Sequence, residues 1–191
     1  MSAAPLVRIL LVSGSSRDGS TNAAVLRTAA QVAGPEVQAV LYPGIGELPL
    51  FNPDDDREGA PVDPRVAEMR RELARADALL ICTPEYAGAL PAAMKNLLEW
   101  TIGDASTYRK PVAWINAAGT AAPTGAADAH DSLRKVLGYA GADIVEQACV
   151  RVPVERALVG EDGTVTDRDA RAQIAGAVRR LAEHVAAARE V

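Results

Sequence analysis

The chain has 191 residues, of which 49% are hydrophobic and 24% charged, and its formal net charge at pH 7 is −5. This length and composition are typical of one globular domain, predicted over residues 1–191, and they exclude disordered and fibrous chains. The negative charge disfavours a nucleic-acid partner, and no apolar run is long enough to span a membrane.

Short apolar runs alternate with longer amphipathic segments along the chain. Strands are predicted over residues 7–12, 37–41, 78–83, 112–116 and 144–152, and helices over residues 21–33, 64–76, 92–101 and 127–139 and after Asp167. Strands without polar alternation are buried on both faces. We therefore predict an α/β fold, in which helices form a layer on each side of a five-stranded parallel sheet.

A polar segment, residues 13–22, follows the first predicted strand and contains four serines, one threonine, one asparagine and Arg17. It lies at a strand-to-helix turn, where the first N–H groups of the helix have no helical partner and the helix dipole is positive. The segment is neither a Walker motif nor a GxGxxG fingerprint. Ser20 alone could cap the helix, but a cap leaves Ser15 and Asn22 without a role, so we favour phosphate binding.

A second segment, residues 84–100, follows the third predicted strand and begins Pro-Glu-Tyr-Ala-Gly. Ligands of open parallel sheets bind beyond the carboxyl ends of the strands. If the first and third strands are neighbours, as in the order 2-1-3-4-5, the two segments border one crevice. Tyr86 offers an aromatic face there, and Gly88 allows a flat ligand to approach the backbone.

The two segments together resemble a known family. This chain is similar to the NAD(P)H-dependent FMN reductases in two motifs. They are Gly-Ser-x-Arg-x-x-Ser-x-Asn after the first strand and Pro-Glu-Tyr-x-x-x-x-Pro-x-x-x-Lys-Asn-x-x-x-Trp after the third. That family includes quinone, azo-dye and chromate reductases. The resemblance covers most of the chain and implies a flavodoxin-like fold, non-covalently bound FMN, and NADPH or NADH as co-substrate.

The resemblance also implies which residues bind FMN. Those expected at the phosphate are Ser15, Arg17, Ser20, Thr21 and Asn22. Those expected beside the isoalloxazine ring, largely through backbone groups, are Pro84, Glu85, Tyr86, Ala87 and Gly88, with Gly119 and Thr120 from the loop after the fourth strand. Two further motif positions, Lys95 and Asn96, we interpret as structural, with Asn96 tying a loop down and Lys95 solvated.

The chain departs from the family pattern at two places. Ala87 stands where many members have asparagine, so we expect one polar contact near the ring to be missing. The loop after the fourth strand often reads Ser-x-Gly-x-x-Gly-Gly in relatives, whereas residues 117–125 lack the glycine pair. We expect this loop to fold over the ring in a different way.

We predict an enzyme that passes electrons from NAD(P)H through FMN, by a ping-pong mechanism, to flavin, quinone, azo or metal-oxyanion acceptors. No catalytic side chain and no metal are required. Two alternatives stay open: a flavodoxin-type electron carrier without nicotinamide reductase activity of its own, and a flavodoxin-like interaction domain without cofactor. Arg17 and Asn22 favour the reductase, because flavodoxins typically have Thr-x-Thr-Gly-x-Thr in the phosphate loop.

Relatives pair as dimers that are often stacked into tetramers, so the resemblance implies a homodimer or homotetramer. The helix bearing Leu97, Leu98 and Trp100 is the candidate interface. Cys82 and Cys149 lie in apolar runs and are predicted to be buried, inert thiols. The N-terminal residues lack the basic segment of a signal peptide, and we expect a cytoplasmic protein.

Overall fold

The computed structural model describes residues 6–17, 19–59 and 61–189; residues 1–5, on which the expectation of no signal peptide depends, lie outside them. A parallel sheet lies at the centre. Its strands are β1 (Val7–Ser13), β2 (Val37–Tyr42), β3 (Ala78–Cys82), β4 (Pro111–Asn116), β5 (Asp143–Ile144) and β6 (Val150–Arg151). The strand order is β2-β1-β3-β4-β5, with β6 paired to β4, which confirms the predicted flavodoxin-like order.

Helices cover both faces of this sheet. They are α1 (Thr21–Val32), α2 (Pro64–Arg75), α3 (Ala92–Glu99), α4 (Ala127–Tyr139) and α5 (Arg168–Arg189). Ile9 and Leu11 of β1 pack in one apolar cluster with α1 and α5, whereas Leu10 and Val12 pack in a second cluster with α2, α3 and α4. Successive side chains of a strand point to opposite faces, so a uniformly apolar strand needs a helical layer on each side. The predicted three-layer α/β fold is confirmed.

The predicted fifth strand, residues 144–152, is interrupted. A short 3-10 turn over Glu146–Ala148 separates β5 from β6. The turn carries two polar residues with low strand propensity: Glu146 forms an ion pair with Arg134, and the carbonyl of Gln147 accepts a hydrogen bond from Arg180. These contacts with α4 and α5 hold the turn, so the chain pairs with β4 in two separate short stretches.

The helix proposed as an interface is part of the core. Leu97, Leu98 and Trp100 are buried in the second apolar cluster, with 1% of Trp100 exposed, so these three side chains are not available to a partner subunit. That this helix forms an interface stays a prediction. The structural role predicted for Asn96 is confirmed, because its side chain bonds the backbone of residues 49 and 51. Lys95 lies on the outer face of α3 and pairs with Glu99 at 2.6 Å.

Both cysteines fit the prediction of inert thiols. Cys82 is fully buried, and this burial raises the pKa of its thiol well above the ordinary value. Cys149 is half-buried, and desolvation raises its pKa to about 11. Within the described ranges, no cluster of three His, Cys, Asp or Glu side chains could hold a metal ion. Nor does any described helix have the length and apolarity needed to cross a bilayer.

Candidate cofactor site

A cavity of about 410 Å³ lies where the loops after β1, β3 and β4 meet. Its walls include Thr21 and Asn22 at the start of α1, and Pro84 and Glu85 after β3. The loop after β4 and the segment after β6 complete it with Ala117, Ala118, Gly119, Ala122, Pro123, Thr124, Ala126, Val154, Glu155 and Arg156. The structure therefore brings the two polar segments singled out in the sequence to one crevice at the carboxyl edge of the sheet.

Two larger cavities lie elsewhere. One of about 490 Å³ lies between β2 and α2, and one of about 560 Å³ lies at the opposite edge of the sheet, against Asp77, Pro111 and Asp143. Neither is bordered by the loops after β1 and β3. In open parallel sheets the loops at the carboxyl ends carry the ligand, so position rather than volume selects the 410 Å³ cavity.

The floor of the cavity depends on a close approach between two loops. The Gly14 N–H donates to the Cys82 carbonyl at 2.9 Å, which continues the pairing of β1 with β3 by one residue. A Cβ atom at position 14 would lie 2.0 Å from Thr83 Oγ1 and 3.0 Å from the Thr83 Cα. Only glycine fits this position, and it allows the loops after β1 and β3 to form a common floor.

The hydroxyls of the first loop divide into two groups. Ser20 caps α1 by accepting the Ala23 N–H at 3.1 Å, and the Ser15 hydroxyl accepts the Arg17 N–H at 3.3 Å. Both serines are buried, so they shape the turn. Thr21 and Asn22 line the cavity, whereas Arg17 is exposed and is not part of the lining. The donors that face the cavity are thus the first turn of α1 and its side chains.

The third loop is tied to the fourth by the side chain of Glu85. Its carboxylate accepts the Thr124 hydroxyl at 2.6 Å and the Ala129 N–H at 3.1 Å. Helix α4 has no side-chain cap of its own at Ala126, so Glu85 supplies the missing acceptor from another loop. The hydrogen bond from Thr124, together with the N–H groups of α4, lowers the pKa of Glu85.

This lowered pKa gives a pH-dependent prediction. A carboxyl with a lowered folded-state pKa stabilises the fold above its ordinary pKa of about 4.3, and the contribution is lost as the pH falls through the folded value. Glu85→Gln is therefore expected to melt below the wild type at pH 7, with the difference narrowing as the pH falls below about 4.3. Thermal melts between pH 3 and 8 test this, with the exposed Glu161→Gln as control; a gap that is constant with pH contradicts it.

The third loop turns sharply at residues 86–89. Tyr86 and Ala89 exchange two backbone hydrogen bonds of 3.1 Å, and the central residues Ala87 and Gly88 have φ values of 52° and 69°. Two positive φ angles are the pattern of a type I′ turn, which strongly favours Asn-Gly. The departure at Ala87 therefore affects backbone conformation, because alanine occupies a left-handed position that asparagine tolerates better.

Ala87→Asn is accordingly expected to raise the free energy of unfolding by about 0.5–1 kcal/mol, since it relieves a left-handed alanine. Urea unfolding measures the change. Ala89→Asn is the matched control, because Ala89 lies in the same turn without a positive φ, and it is expected to give no gain. Equal effects of the two substitutions contradict the conformational explanation.

The turn is exposed and stands outside the cavity wall. Tyr86, with half of its surface exposed, and Ala87 and Gly88 are absent from the cavity lining, whereas Pro84 and Glu85 belong to it. Of these residues expected beside the ring, Pro84 and Glu85 thus line the cavity, whereas Tyr86, Ala87 and Gly88 form an exposed turn. The structure leaves the aromatic face of Tyr86 free at the surface.

The fourth loop is folded around Glu155. The Thr120 N–H and hydroxyl donate to the Glu155 carboxylate at 2.8 and 3.0 Å, and a Cβ atom on Gly119 would lie 2.6 Å from it. Sequence reasoning missed Glu155 and Arg156, which follow β6 and line the cavity. Their position after a strand that pairs with β4 is the signal that could have found them.

These features define a class of protein. The cavity is lined by the positive end of a helix, with the Thr21 hydroxyl and the Asn22 amide, and its other walls come from the loops after β3 and β4 and the segment after β6. That donor set fits the phosphate of a nucleotide, and the adjoining walls fit its planar group. The fold and the site are those of a flavodoxin-like nucleotide-binding protein.

Comparison with known proteins gives the family. Residues 7–155 match the family described as NADPH-dependent FMN reductase, and the chain belongs to it. The chain is 31% identical over 169 residues to a 2-hydroxy-1,4-benzoquinone reductase of a Burkholderia species, with 86% of this chain and 88% of the relative covered. It is 30% identical over 167 residues to an NAD(P)H-dependent FMN reductase of Pseudomonas aeruginosa, with the same coverage. This chain is thus an oxidoreductase of that family, with FMN as its cofactor and NAD(P)H as its co-substrate.

Solved structures agree with this assignment. The flavoenzyme NAD(P)H:(acceptor) oxidoreductase FerB from Paracoccus denitrificans superimposes with a TM-score of 0.81 at 25% identity, covering 95% of this chain and 98% of that one. A flavodoxin from Pseudomonas aeruginosa superimposes with a TM-score of 0.58 at 17% identity, covering 92% and 99%, and supports the fold alone.

Proposed function

We propose that this chain binds FMN in the 410 Å³ cavity and uses it to reduce quinone-type acceptors with NAD(P)H. The observation that carries the proposal is the meeting of the α1 N-terminus with the loops after β3 and β4 in one crevice. The quinone acceptor is favoured because a relative of nearly equal length is named a 2-hydroxy-1,4-benzoquinone reductase. Flavin, azo and metal-oxyanion acceptors belong to the same proposal.

Each part of the site has a separate role in this proposal. Thr21 and Asn22 bind the phosphate with the first N–H groups of α1, Ser15 and Ser20 shape the turn, and Arg17 attracts the dianion. Pro84, Glu85 and Gly119, which line the cavity, border the ring. Thr120 holds the fourth loop through its hydrogen bonds to Glu155, and Tyr86, Ala87 and Gly88 form the exposed turn next to Glu85. When bound, FMN supplies hydride acceptance and electron delivery.

The protein needs no acid, base or nucleophile of its own in this scheme. What its residues do is bind the cofactor and orient its ring. The nicotinamide nucleotide and the acceptor then occupy the same face in turn. One shared face predicts ping-pong kinetics, with parallel double-reciprocal plots.

The experiment combines a binding and a turnover measurement. FMN is titrated into apoprotein and its fluorescence quenching recorded; NADPH or NADH is then oxidised anaerobically in the presence of 1,4-benzoquinone. Quenching with stoichiometric nucleotide oxidation supports the proposal. Quenching without oxidation supports a flavodoxin-type carrier, and no quenching at saturating FMN supports a domain without cofactor; either result overturns the proposed reductase.

Asn22→Asp provides a matched test of the phosphate end. The substitution keeps the shape of the side chain and places a negative charge beside the phosphate. We expect FMN affinity to fall by at least about tenfold, because one hydrogen bond to a charged group is lost and repulsion is added. Asn52→Asp, on an exposed loop, is the control and is expected to leave the affinity unchanged.

We further propose a homodimer or homotetramer in the cytoplasm. Several large apolar side chains are exposed on the single chain, among them Leu50 with 83% of its surface exposed and Tyr139 with 85%. Self-association would remove such side chains from water. Light scattering of the purified protein gives the subunit number, and cell fractionation gives the location.

A further inference from the structure

We propose that the buried thiol of Cys82 is a positioning residue for the cofactor, because it fixes the Asn22 amide with its N–H₂ group toward the phosphate. Cys82 is the last residue of β3 and lies beneath the cavity rather than in its wall. This role of Cys82 rests on the proposed FMN site. Cys82 lies outside the family motifs given above, so it would be a further residue that determines the affinity for FMN.

Three contacts connect Cys82 to the segments that form the cavity. Its Sγ lies 3.2 Å from Asn22 Oδ1 in the first turn of α1. The N–H of Ala117, where the fourth loop begins, partly offsets the rise in the pKa of this thiol. The Cys82 carbonyl accepts the Gly14 N–H at 2.9 Å. One buried residue thus joins the loop after β1, the start of α1 and the loop after β4.

The chemistry of these contacts determines how Asn22 is oriented. A thiol has one hydrogen to donate, and the Cys82 thiol donates it to the Asn22 carbonyl oxygen at 3.2 Å. The Asn22 N–H₂ group has no partner among the described residues, and Asn22 lines the cavity. The amide therefore offers its donors to an anionic ligand.

Without the thiol, the amide loses this constraint. An asparagine amide can turn over, and a carbonyl oxygen facing a phosphate repels it. Burial raises the pKa of the Cys82 thiol, so the group remains a donor at neutral pH and keeps the amide in one orientation. Cys82 is also 0% exposed, which sets it apart from thiols that react with oxidants or substrates.

The test is FMN affinity of the full-length apoprotein, measured by fluorescence quenching. Cys82→Val fills the buried strand position without a donor, and Cys82→Ser restores a donor and acceptor. We expect Cys82→Val to raise the Kd for FMN about 3- to 10-fold, as for the loss of one hydrogen bond, and Cys82→Ser to remain within about twofold of wild type. Cys149→Val is the matched control, because the Cys149 Sγ contacts the Val145 carbonyl at 3.5 Å and does not line the cavity.

A double-mutant cycle separates positioning from a general structural effect. If Cys82 acts through Asn22, then Cys82→Val has no further effect on the Kd in an Asn22→Ala background. An equal loss in both backgrounds, or wild-type affinity in Cys82→Val, overturns the inference. Thermal melts of the apoproteins show that each variant is folded, and should Cys82→Val not fold, the same cycle is run with Cys82→Ala.

The same measurements separate a failure of the proposed role of Cys82 from a failure of the proposed function. Wild-type protein that does not quench FMN fluorescence overturns the proposed site itself. Wild-type protein that binds FMN, together with Cys82 variants that bind it equally well, overturns only the role of the thiol.

Discussion

Replacing Gly14 by alanine is expected to lower the free energy of unfolding by about 2–3 kcal/mol and to abolish FMN binding. The new methyl group would lie 2.0 Å from Thr83 Oγ1 and 3.0 Å from the Thr83 backbone, so the ends of β1 and β3 would have to separate. These strand ends carry the two loops that meet at the cavity. Urea unfolding and FMN titration of the same preparation measure both effects.

Gly138→Ala is the control for this substitution. Gly138 lies in α4, and a Cβ atom added there would have nothing within 4 Å. In a helix alanine is favoured over glycine, so the control is expected to gain about 0.5–1 kcal/mol. The double variant Gly14→Ala with Thr83→Gly removes the clashing side chain and is expected to regain part of the stability. A Gly14→Ala protein that unfolds and binds FMN like the wild type refutes the close-approach argument.

Asn96→Ala is expected to cost about 2 kcal/mol in the free energy of unfolding. The Asn96 side chain accepts the Phe51 N–H at 2.7 Å and donates to the Pro49 carbonyl at 2.9 Å. The Pro49 carbonyl keeps a second donor, Trp100 Nε1 at 2.8 Å, whereas the Phe51 N–H loses its only partner among the described residues. Chemical denaturation measures the change in the free energy of unfolding. Faster hydrogen exchange of the Phe51 amide shows that the lost stability comes from this hydrogen bond.

Lys95→Ala is the neighbouring control. Lys95 makes an exposed ion pair with Glu99 one turn along α3, and such pairs contribute less than about 0.5 kcal/mol. We expect the Phe51 amide to exchange at the wild-type rate in this variant. If both substitutions cost the same, the side chain of Asn96 does not hold the loop.

Much of the fold follows from local sequence pattern. The apolar runs of β1 and β3 have no polar alternation because helices cover both faces of these strands. The sequence alone therefore predicts that they are central strands of a parallel sheet. The role of Asn96 was also predictable, since an amide between apolar helix positions needs buried partners. The pairing of the first and third loops followed from the strand order, which a doubly wound sheet largely determines.

Other features depend on contacts between distant parts of the chain. Glu155 bonds Thr120, 35 positions earlier, and no local pattern encodes that meeting. Apolar spacing in α3 predicts a buried stripe but not what covers it, and the structure shows that the core of the same chain covers Trp100. At Ala87 the sequence suggested a lost polar contact, whereas the φ angle indicates a conformational effect.

The turn between β5 and β6 also sets a length requirement. From Ile144 to Val150 the chain advances six residues, while the partner strand advances three, from Val112 to Ile115. The three extra residues match the 3-10 turn at Glu146–Ala148. A relative with an unbroken final strand must therefore have three residues fewer between its equivalents of Ile144 and Val150. Only then do its equivalents of Glu155 and Arg156 take the same positions beside the cavity.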